Sequence, residues 1–138
     1  MIVLDTNVIS EVFNPAPSAK VLDWLQQQPD GEVFTTAITR SELLYGAHIL
    51  PQGRRKDVLL SGSLRIFELR FPNRVLPYDE PAADAHAEIA AQRHAQGRTS
   101  GRADLMIAGI VRAHGAALAT RNVRDFEGCD IALIDPWR

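Results

Sequence analysis

Three acidic residues, Asp5, Glu42 and Asp104, lie beside apolar stretches of the chain. Asp5 directly follows one apolar run, Glu42 comes shortly after a second, and Asp104 directly precedes a third. A carboxylate in such a place destabilises the fold unless it is paired or bound to a metal ion. If the three side chains converge, two bare charges about 4 Å apart repel by about 4 kcal/mol at an effective dielectric constant near 20. A divalent cation reverses that sign, so the pattern indicates a metal site.

The available ligand chemistry favours Mg²⁺, with Mn²⁺ as a substitute. These ions prefer oxygen donors, and Mg²⁺ typically takes one or two carboxylates together with waters and a substrate phosphate. The chain has a single cysteine, Cys129, and no pair of histidines at zinc-ligand spacing, which argues against zinc. A metal of this kind activates a water for attack on phosphorus and neutralises charge on the phosphate oxygens. The acids therefore predict phosphoryl chemistry.

Each acid also has a purely structural explanation. Asp5 is suited to cap the first helix, the spacing of Thr39 and Glu42 fits a capping box, and Asp104 at a helix start is favoured by the helix dipole. Four polar neighbours have the same two interpretations, because they suit either the positioning of a water or ligand or ordinary helix and turn caps. These four are Thr6, Asn7, Thr120 and Asn122.

Short apolar runs alternate with helical patterns along the chain. We expect strands at 2–4, 33–36, 74–77, 117–120 and 131–134, with helices at 6 to about 13, 18–28, 39–50, 54 to about 67, 79 to about 97 and 103–114. This alternation predicts one α/β domain over 1–138, a three-layer sandwich with a mainly parallel central sheet of about five strands. Ligands of such sheets bind at the carboxyl ends of the strands, where these acids and polar residues are expected.

Composition limits the classes of protein that need considering. The chain has 138 residues, of which 46% are hydrophobic and 23% charged, so neither a disordered chain nor a two-domain cofactor enzyme is expected. The net charge of −2 excludes a polycation, although the basic residues are nearly all arginine and could hold phosphate locally. Genomic base composition would give the same enrichment. The lone cysteine and the lack of a long apolar segment predict a cytoplasmic protein without membrane contact.

Five blocks of the sequence, taken in order, resemble those of PIN-domain ribonucleases. They also resemble, more narrowly, the VapC toxins of bacterial toxin–antitoxin pairs, the FitB-like branch included. The resemblance extends from Met1 to Trp137 and therefore covers nearly the whole chain. The blocks are Leu4–Glu11, Thr39–Gly46, Leu76–Glu80, Asp104–Ala108 and Leu118–Phe126.

The resemblance implies an Mg²⁺-dependent endoribonuclease that cuts structured RNA. It also implies a homodimer and a small VapB-like antitoxin, encoded beside the toxin, that inserts a segment into the acidic site and builds a larger assembly. By motif position, Asp5 and Asp104 would be the principal metal ligands and Glu42 the third acid. Family members often carry a fourth acid where this chain has Asn122, and Asp125 lies three residues further on. Either Asn122 serves as a neutral ligand or water positioner, or the metal is held more weakly.

Other phosphate-handling classes fit less well. A haloacid-dehalogenase-type phosphatase needs a second Asp where Asn7 stands, and a receiver domain needs a lysine after its last strand, whereas the only lysines are Lys20 and Lys56. No Walker loop or dinucleotide-binding glycine motif occurs. The remaining rival is a non-catalytic PIN-like protein that acts by binding its antitoxin or nucleic acid, a reading that Asn122 favours.

Four arginines lie close in sequence to the acids and strand ends, and we expect them to contact RNA phosphates: Arg98, Arg102, Arg121 and Arg124. The large aromatic residues Trp24, Tyr45 and Trp137 are assigned to the core or to an interface rather than to base stacking.

The arginine assignment predicts the salt dependence of RNA binding. Arg102→Ala should weaken binding, and the slope of log affinity against log salt concentration should become shallower by about one, because one phosphate contact is lost. RNA affinity measured over a series of salt concentrations tests this. An unchanged slope would remove Arg102 from the phosphate-contacting set.

Overall fold

The computed structural model describes residues 1–138 and contains five strands, six α-helices and two short 3-10 helices, at Asp30–Glu32 and Val123–Phe126. The strands are Ile2–Leu4 (β1), Val33–Thr36 (β2), Val75–Leu76 (β3), Ala117–Ala119 (β4) and Ala132–Ile134 (β5). The α-helices are Thr6–Glu11 (α1), Ala19–Gln27 (α2), Ala37–His48 (α3), Arg54–Arg70 (α4), Glu80–Ala95 (α5) and Arg102–Ala113 (α6). None of them combines the length and apolar character that a membrane crossing requires.

The five strands form one parallel sheet in the order β3-β2-β1-β4-β5. The chain builds outward from β1 through β2 and β3, and then places β4 and β5 on the other side of β1. This reversal of strand order creates a crevice at the carboxyl ends of β1 and β4, which is where ligands of open parallel sheets bind. The expected parallel sheet is confirmed.

Successive strand residues point to opposite faces of the sheet. Because the strands are mostly apolar, both faces are apolar, and helices cover each of them. Val3 and Leu118 pack into the larger core cluster, which includes buried residues of α5 and α6. The next residues along each strand, Leu4 and Ala119, pack into the second cluster with residues of α1, α2 and α4. The expected three-layer sandwich is therefore confirmed.

Several helix bounds differ from the expected ones by one to three residues: α3 covers 37–48 rather than 39–50, α5 ends at Ala95, and the ends of α1 and α4 have a clear physical reason. Helix α1 stops at Glu11, because the next backbone N–H groups bond to carbonyls three residues back, as in Phe13 N to Ser10 O at 3.0 Å. This tighter pattern is typical of a helix end. Helix α4 continues past Phe67 to Arg70; the buried rings of Phe67 and Phe71 lie 6.4 Å apart and hold the extra turn against the core.

Helices α5 and α6 approach each other closely at Gly109. A Cβ atom at this position would lie 2.6 Å from the carbonyl oxygen of Ala82 and 2.8 Å from the Cβ of His86. Because the nearest atom belongs to backbone, no side-chain rotation relieves the clash. Glycine at 109 therefore sets the distance between these helices, and α6 carries Asp104.

Two glycine substitutions should affect stability in opposite directions. Gly109→Ala should lower the free energy of unfolding by about 1–3 kcal/mol, because α5 and α6 must move apart. Gly46→Ala is the matched control in α3, where no atom lies within 4 Å of the added Cβ; it should raise the free energy of unfolding by about 0.5–1 kcal/mol. Urea unfolding measures both. Equal effects would contradict the close approach of the two helices.

Candidate active site

Strand β1 delivers Asp5 to the crevice. The Asp5 backbone N–H donates to Ala119 O at 2.9 Å, which extends the β1–β4 pairing by one residue and places Asp5 beside Thr120. The buried carboxylate accepts hydrogen bonds from Thr120 Oγ1 at 2.8 Å and from the backbone N–H of Thr6 at 2.8 Å. Asp5 is therefore the cap of α1, as its structural explanation supposed, and also the buried acid at the junction of the sheet.

Asn7 and Thr120 extend this hydrogen-bond network. Asn7 Nδ2 lies 3.4 Å from both Asp5 Oδ2 and Thr120 Oγ1, and Asn7 Oδ1 accepts from the backbone N–H of Arg121 at 3.2 Å. The backbone N–H of Asn122 donates to Thr120 Oγ1 at 3.0 Å. Because Thr120 Oγ1 accepts from this N–H, its own proton is directed at Asp5.

The pKa of the Asp5 carboxyl lies above its usual value. Burial is the largest cause, and the negative charges of Glu42 and Asp125 add to it. The hydrogen bonds from Thr120 and Thr6 act in the opposite direction, because they stabilise the ionised form. The network therefore opposes an electrostatic penalty that the fold itself creates.

Glu42 does not belong to a capping box, so that alternative is wrong. Strand β2 passes directly into α3, and Thr36, still extended, caps the helix by accepting from the backbone N–H of Thr39 at 3.1 Å. The Glu42 carboxylate instead accepts from Thr6 Oγ1 at 2.7 Å, and that oxygen lies 3.1 Å from Thr39 Oγ1. Glu42 thus faces the start of α1, beside Asp5.

Asp104 lies in the first turn of α6 and is half-buried. The pKa of its carboxyl is raised to about 6, most of all by burial and then by the negative charges of Asp5, Asp125 and Glu42, in that order. The positive charge of Arg93 acts in the opposite direction. Four carboxylates therefore share one electrostatic environment although they come from four separate parts of the chain.

Three of these four carboxylates, those of Asp5, Glu42 and Asp104, line an open pocket of about 450 Å³. No three His, Cys, Asp or Glu side chains in the structure lie close enough together to hold one ion among them. Mg²⁺ commonly binds through only one or two carboxylates and keeps several waters. The chemistry of the donors, all oxygen with excess negative charge, fits such an ion.

A buried arginine joins two segments next to the acids. Arg93 is 5% exposed and donates to Ser100 Oγ at 2.6 Å and to the backbone carbonyl of Glu127 at 2.9 Å, while its Nη2 lies 3.0 Å from Cys129 Sγ. These contacts tie the loop before α6 to the segment that follows Asp125. Nothing in the sequence indicates this, because an arginine in an alanine-rich helix is typical of a solvated surface.

Most of the predicted site residues line the pocket, but three of the four arginines do not. Those that line the pocket are Asp5, Thr6, Asn7, Glu42, Asp104, Arg121 and Asn122, and Thr120 lies behind Asp5. The other three arginines are exposed and do not line it: Arg98, which donates to the carbonyl of Glu127 at 3.2 Å, Arg102 and Arg124.

Sequence reasoning missed four other residues of the lining, which are Ser10, Glu11, Asn14 and Trp137. For Ser10 and Glu11 a signal was present, because they lie three and four residues after Asn7 and share its face of α1, whereas Asn14 lies beyond the end of that helix. Trp137 had no comparable signal.

The fold and the acid-lined crevice define a class of α/β proteins suited to divalent metal and phosphate chemistry. Residues 2–130 match the model of the PIN domain. The chain is 37% identical over 137 residues to Toxin FitB of Neisseria gonorrhoeae, covering 99% of both chains, and 37% identical over 137 residues to VapC ribonuclease Y4jK of Sinorhizobium fredii, covering 99% of this chain and 98% of the relative. The structure of FitAB bound to a DNA fragment superposes with a TM-score of 0.92 at 36% identity, covering 100% of this chain and 96% of the other.

The chain belongs to the PIN-domain family. The FitB-like resemblance noted from the sequence is confirmed. PIN-domain ribonucleases in general depend on a divalent metal ion.

The raised pKa of Asp104 predicts how the stability of the metal-free protein depends on pH. Because the folded-state pKa of about 6 exceeds the reference value of 3.8, the folded state binds the proton more tightly, and the free energy of unfolding should fall between about pH 4 and pH 6. Asp104→Asn should weaken this dependence, leaving the part that the raised pKa of Asp5 contributes, and should stabilise the protein at pH 7 by about 1–2 kcal/mol, a figure reduced for solvent screening.

Urea unfolding in EDTA from pH 4 to pH 8 measures the effect. Asp84→Asn, an exposed carboxylate on α5, is the matched control and should leave the pH dependence as it is in the wild type. Identical pH profiles for Asp104→Asn and the wild type would contradict the electrostatic assignment.

Proposed function

We propose that this chain is the toxin of a VapBC-type toxin–antitoxin pair and acts as an Mg²⁺-dependent endoribonuclease, with Mn²⁺ as a substitute ion. The observation that carries the proposal is that Asp5, Glu42 and Asp104 line one pocket at the carboxyl end of β1 in a chain of the PIN family. Relatives named as a toxin and as a ribonuclease support the same assignment.

We assign Asp5 and Asp104 as the residues that hold the metal ion, with Glu42 as the third acid. The raised pKa values of both aspartates support this, because burial and, to a smaller extent, nearby negative charge disfavour their ionised forms, and a bound cation would compensate both effects. When bound, the ion lowers the pKa of a water and neutralises charge on the phosphate. Asn122 carries no charge, so the fourth negative charge that acts on Asp104 comes from Asp125.

The surrounding polar residues fix the acids. Thr120 and the Thr6 N–H each occupy one Asp5 oxygen, and because a carboxylate has about four acceptor positions, lone pairs remain for a ligand. Asn7 links this carboxylate to the backbone of Arg121. Asn122, in the pocket wall, is assigned to orient water or phosphate.

We assign all four arginines to RNA binding, one inside the pocket and three outside it. Arg121 lines the pocket and is suited to contact a phosphate beside the bond that is cut. The exposed Arg98, Arg102 and Arg124 would contact the RNA backbone further along. On a chain with a net charge of −2, such local positive charge is what allows nucleic acid to approach an acidic pocket.

We propose that residues 1–138 act as one cytoplasmic PIN-like domain, as a homodimer, and in a larger assembly with a small VapB-like antitoxin. Exposed apolar side chains support a protein partner, since Tyr45, Ile49 and Leu69 are each 64% exposed. Tyr45 and Ile49 lie four residues apart at the end of α3 and so share one exposed face, as the residues of an interaction surface do.

RNA cleavage with purified protein tests the proposed reaction. The wild type should cut RNA in Mg²⁺, lose activity in EDTA and regain it when Mg²⁺ is restored. Asp5→Asn should lower kcat/KM by about a hundredfold or more, because a ligand charge is lost from the site. Asp84→Asn is the matched control and should cut as the wild type does.

Two outcomes would contradict this proposal in different ways. Cleavage that survives both EDTA and Asp5→Asn would exclude the metal-dependent mechanism. RNA or antitoxin binding by the wild type without any cleavage would favour the alternative of a non-catalytic PIN-like protein, for which Asn122 is the supporting feature.

A further inference from the structure

Trp137 is the one apolar residue in the lining of the acidic pocket. Part of its half-buried side chain packs against the second core cluster, as its assignment to the core expects, but the part that lines the pocket reopens the base-stacking role that the sequence analysis set aside. An indole in an open, polar pocket offers no ligand for a metal ion and no acceptor for an arginine. What it offers is a flat π face.

Arg121 lies against that face. Its guanidinium carbon is 5.2 Å from the centre of the Trp137 ring, a distance typical of a cation–π contact. Arg121 is also the one cationic residue in the pocket lining. The pocket lining therefore contains a positively charged cation–π pair as well as carboxylates and neutral polar side chains.

Both members of the stack are fixed through their backbones. The Arg121 N–H donates to Asn7 Oδ1 at 3.2 Å, and Asn7 in turn contacts Asp5. The Trp137 N–H donates to Asp135 Oδ1 at 2.9 Å. Because β4 and β5 are adjacent strands, the two residues are held at one edge of the sheet, at a set position relative to the acids.

We propose that Trp137 and Arg121 form a stacking platform for one unpaired base next to the phosphodiester bond that is cut. Unpaired bases stack on aromatic rings and on guanidinium planes, whereas bases within a duplex cannot be reached in this way. The platform thus selects RNA that is single-stranded at the cleavage position. This inference rests on the proposed ribonuclease function and deepens it.

A double-mutant cycle between protein and RNA tests the platform. The RNA is one that the wild type cuts in Mg²⁺, with the cut position mapped, and its partner RNAs carry an abasic nucleotide on the 5′ or the 3′ side of that position. Trp137→Leu removes the π face, whereas Trp137→Phe retains one. Trp24→Phe is the matched control, because Trp24 does not line the pocket.

We expect one of the abasic RNAs to lower kcat/KM of the wild type by about five- to a hundredfold, the range for loss of one stacked base. On intact RNA, Trp137→Leu should lower kcat/KM by a similar factor. For this variant, kcat/KM on the sensitive abasic RNA should be only a little lower than on intact RNA, because the stacking contact is already lost. Trp137→Phe should lower kcat/KM on intact RNA by less. If Trp137→Leu and the abasic nucleotide together lower kcat/KM by the product of their separate factors, the two act independently, and the proposed platform is wrong. Failure of the wild type to cut any RNA would instead refute the proposed function, before any variant is compared.

Fluorescence gives a second test with Trp137 left intact. In Trp24→Phe, Trp137 is the sole tryptophan, and binding of the intact RNA in EDTA should quench its emission without turnover. The sensitive abasic RNA and a fully paired duplex of the same sequence should quench it much less at equal occupancy. Equal quenching by all three RNAs would overturn the proposal.

Discussion

The hydrogen bond from Thr120 to the buried carboxylate of Asp5 joins the two strands between which the order of the sheet reverses. Burying a carboxylate is unfavourable unless its oxygens are hydrogen bonded, and this bond, with the one from the Thr6 N–H, meets that requirement. Because it fixes Asp5 relative to both β1 and β4, it also fixes the point about which Glu42 and Asp104 are arranged.

The carboxylates around Asp5 lower the stability of the fold while they form the pocket for which a function is proposed. Burial and mutual repulsion raise the pKa of Asp5 and of Asp104, so the ionised pocket at neutral pH lowers the stability of the fold. Carboxyl groups with raised pKa values of this kind are concentrated at functional sites, which agrees with the role proposed for this pocket. The remaining core, with apolar residues on both faces of the sheet, supplies the stability that the pocket does not.

The sequence predicted those features that depend on local pattern. Asp5 was identifiable because it ends an apolar strand, and Asp104 because it begins an apolar helix. The cap at Thr36 was missed because the strand enters α3 without a loop, which local propensity does not report. The part that Trp137 plays in the pocket lining, and the buried position of Arg93, depend on contacts between distant segments, and no spacing rule encodes those.

Arg93 makes the loop before α6 and the segment after Asp125 a single mechanical unit. Its three contacts converge on one guanidinium, so a length change in either segment would be transmitted to the other. A change in the number of residues in one segment should therefore require a compensating change in the other. The glycine and small polar residues of Gly97–Ser100 suggest a loop that tolerates insertions, but an insertion there would disturb the contacts of Arg93.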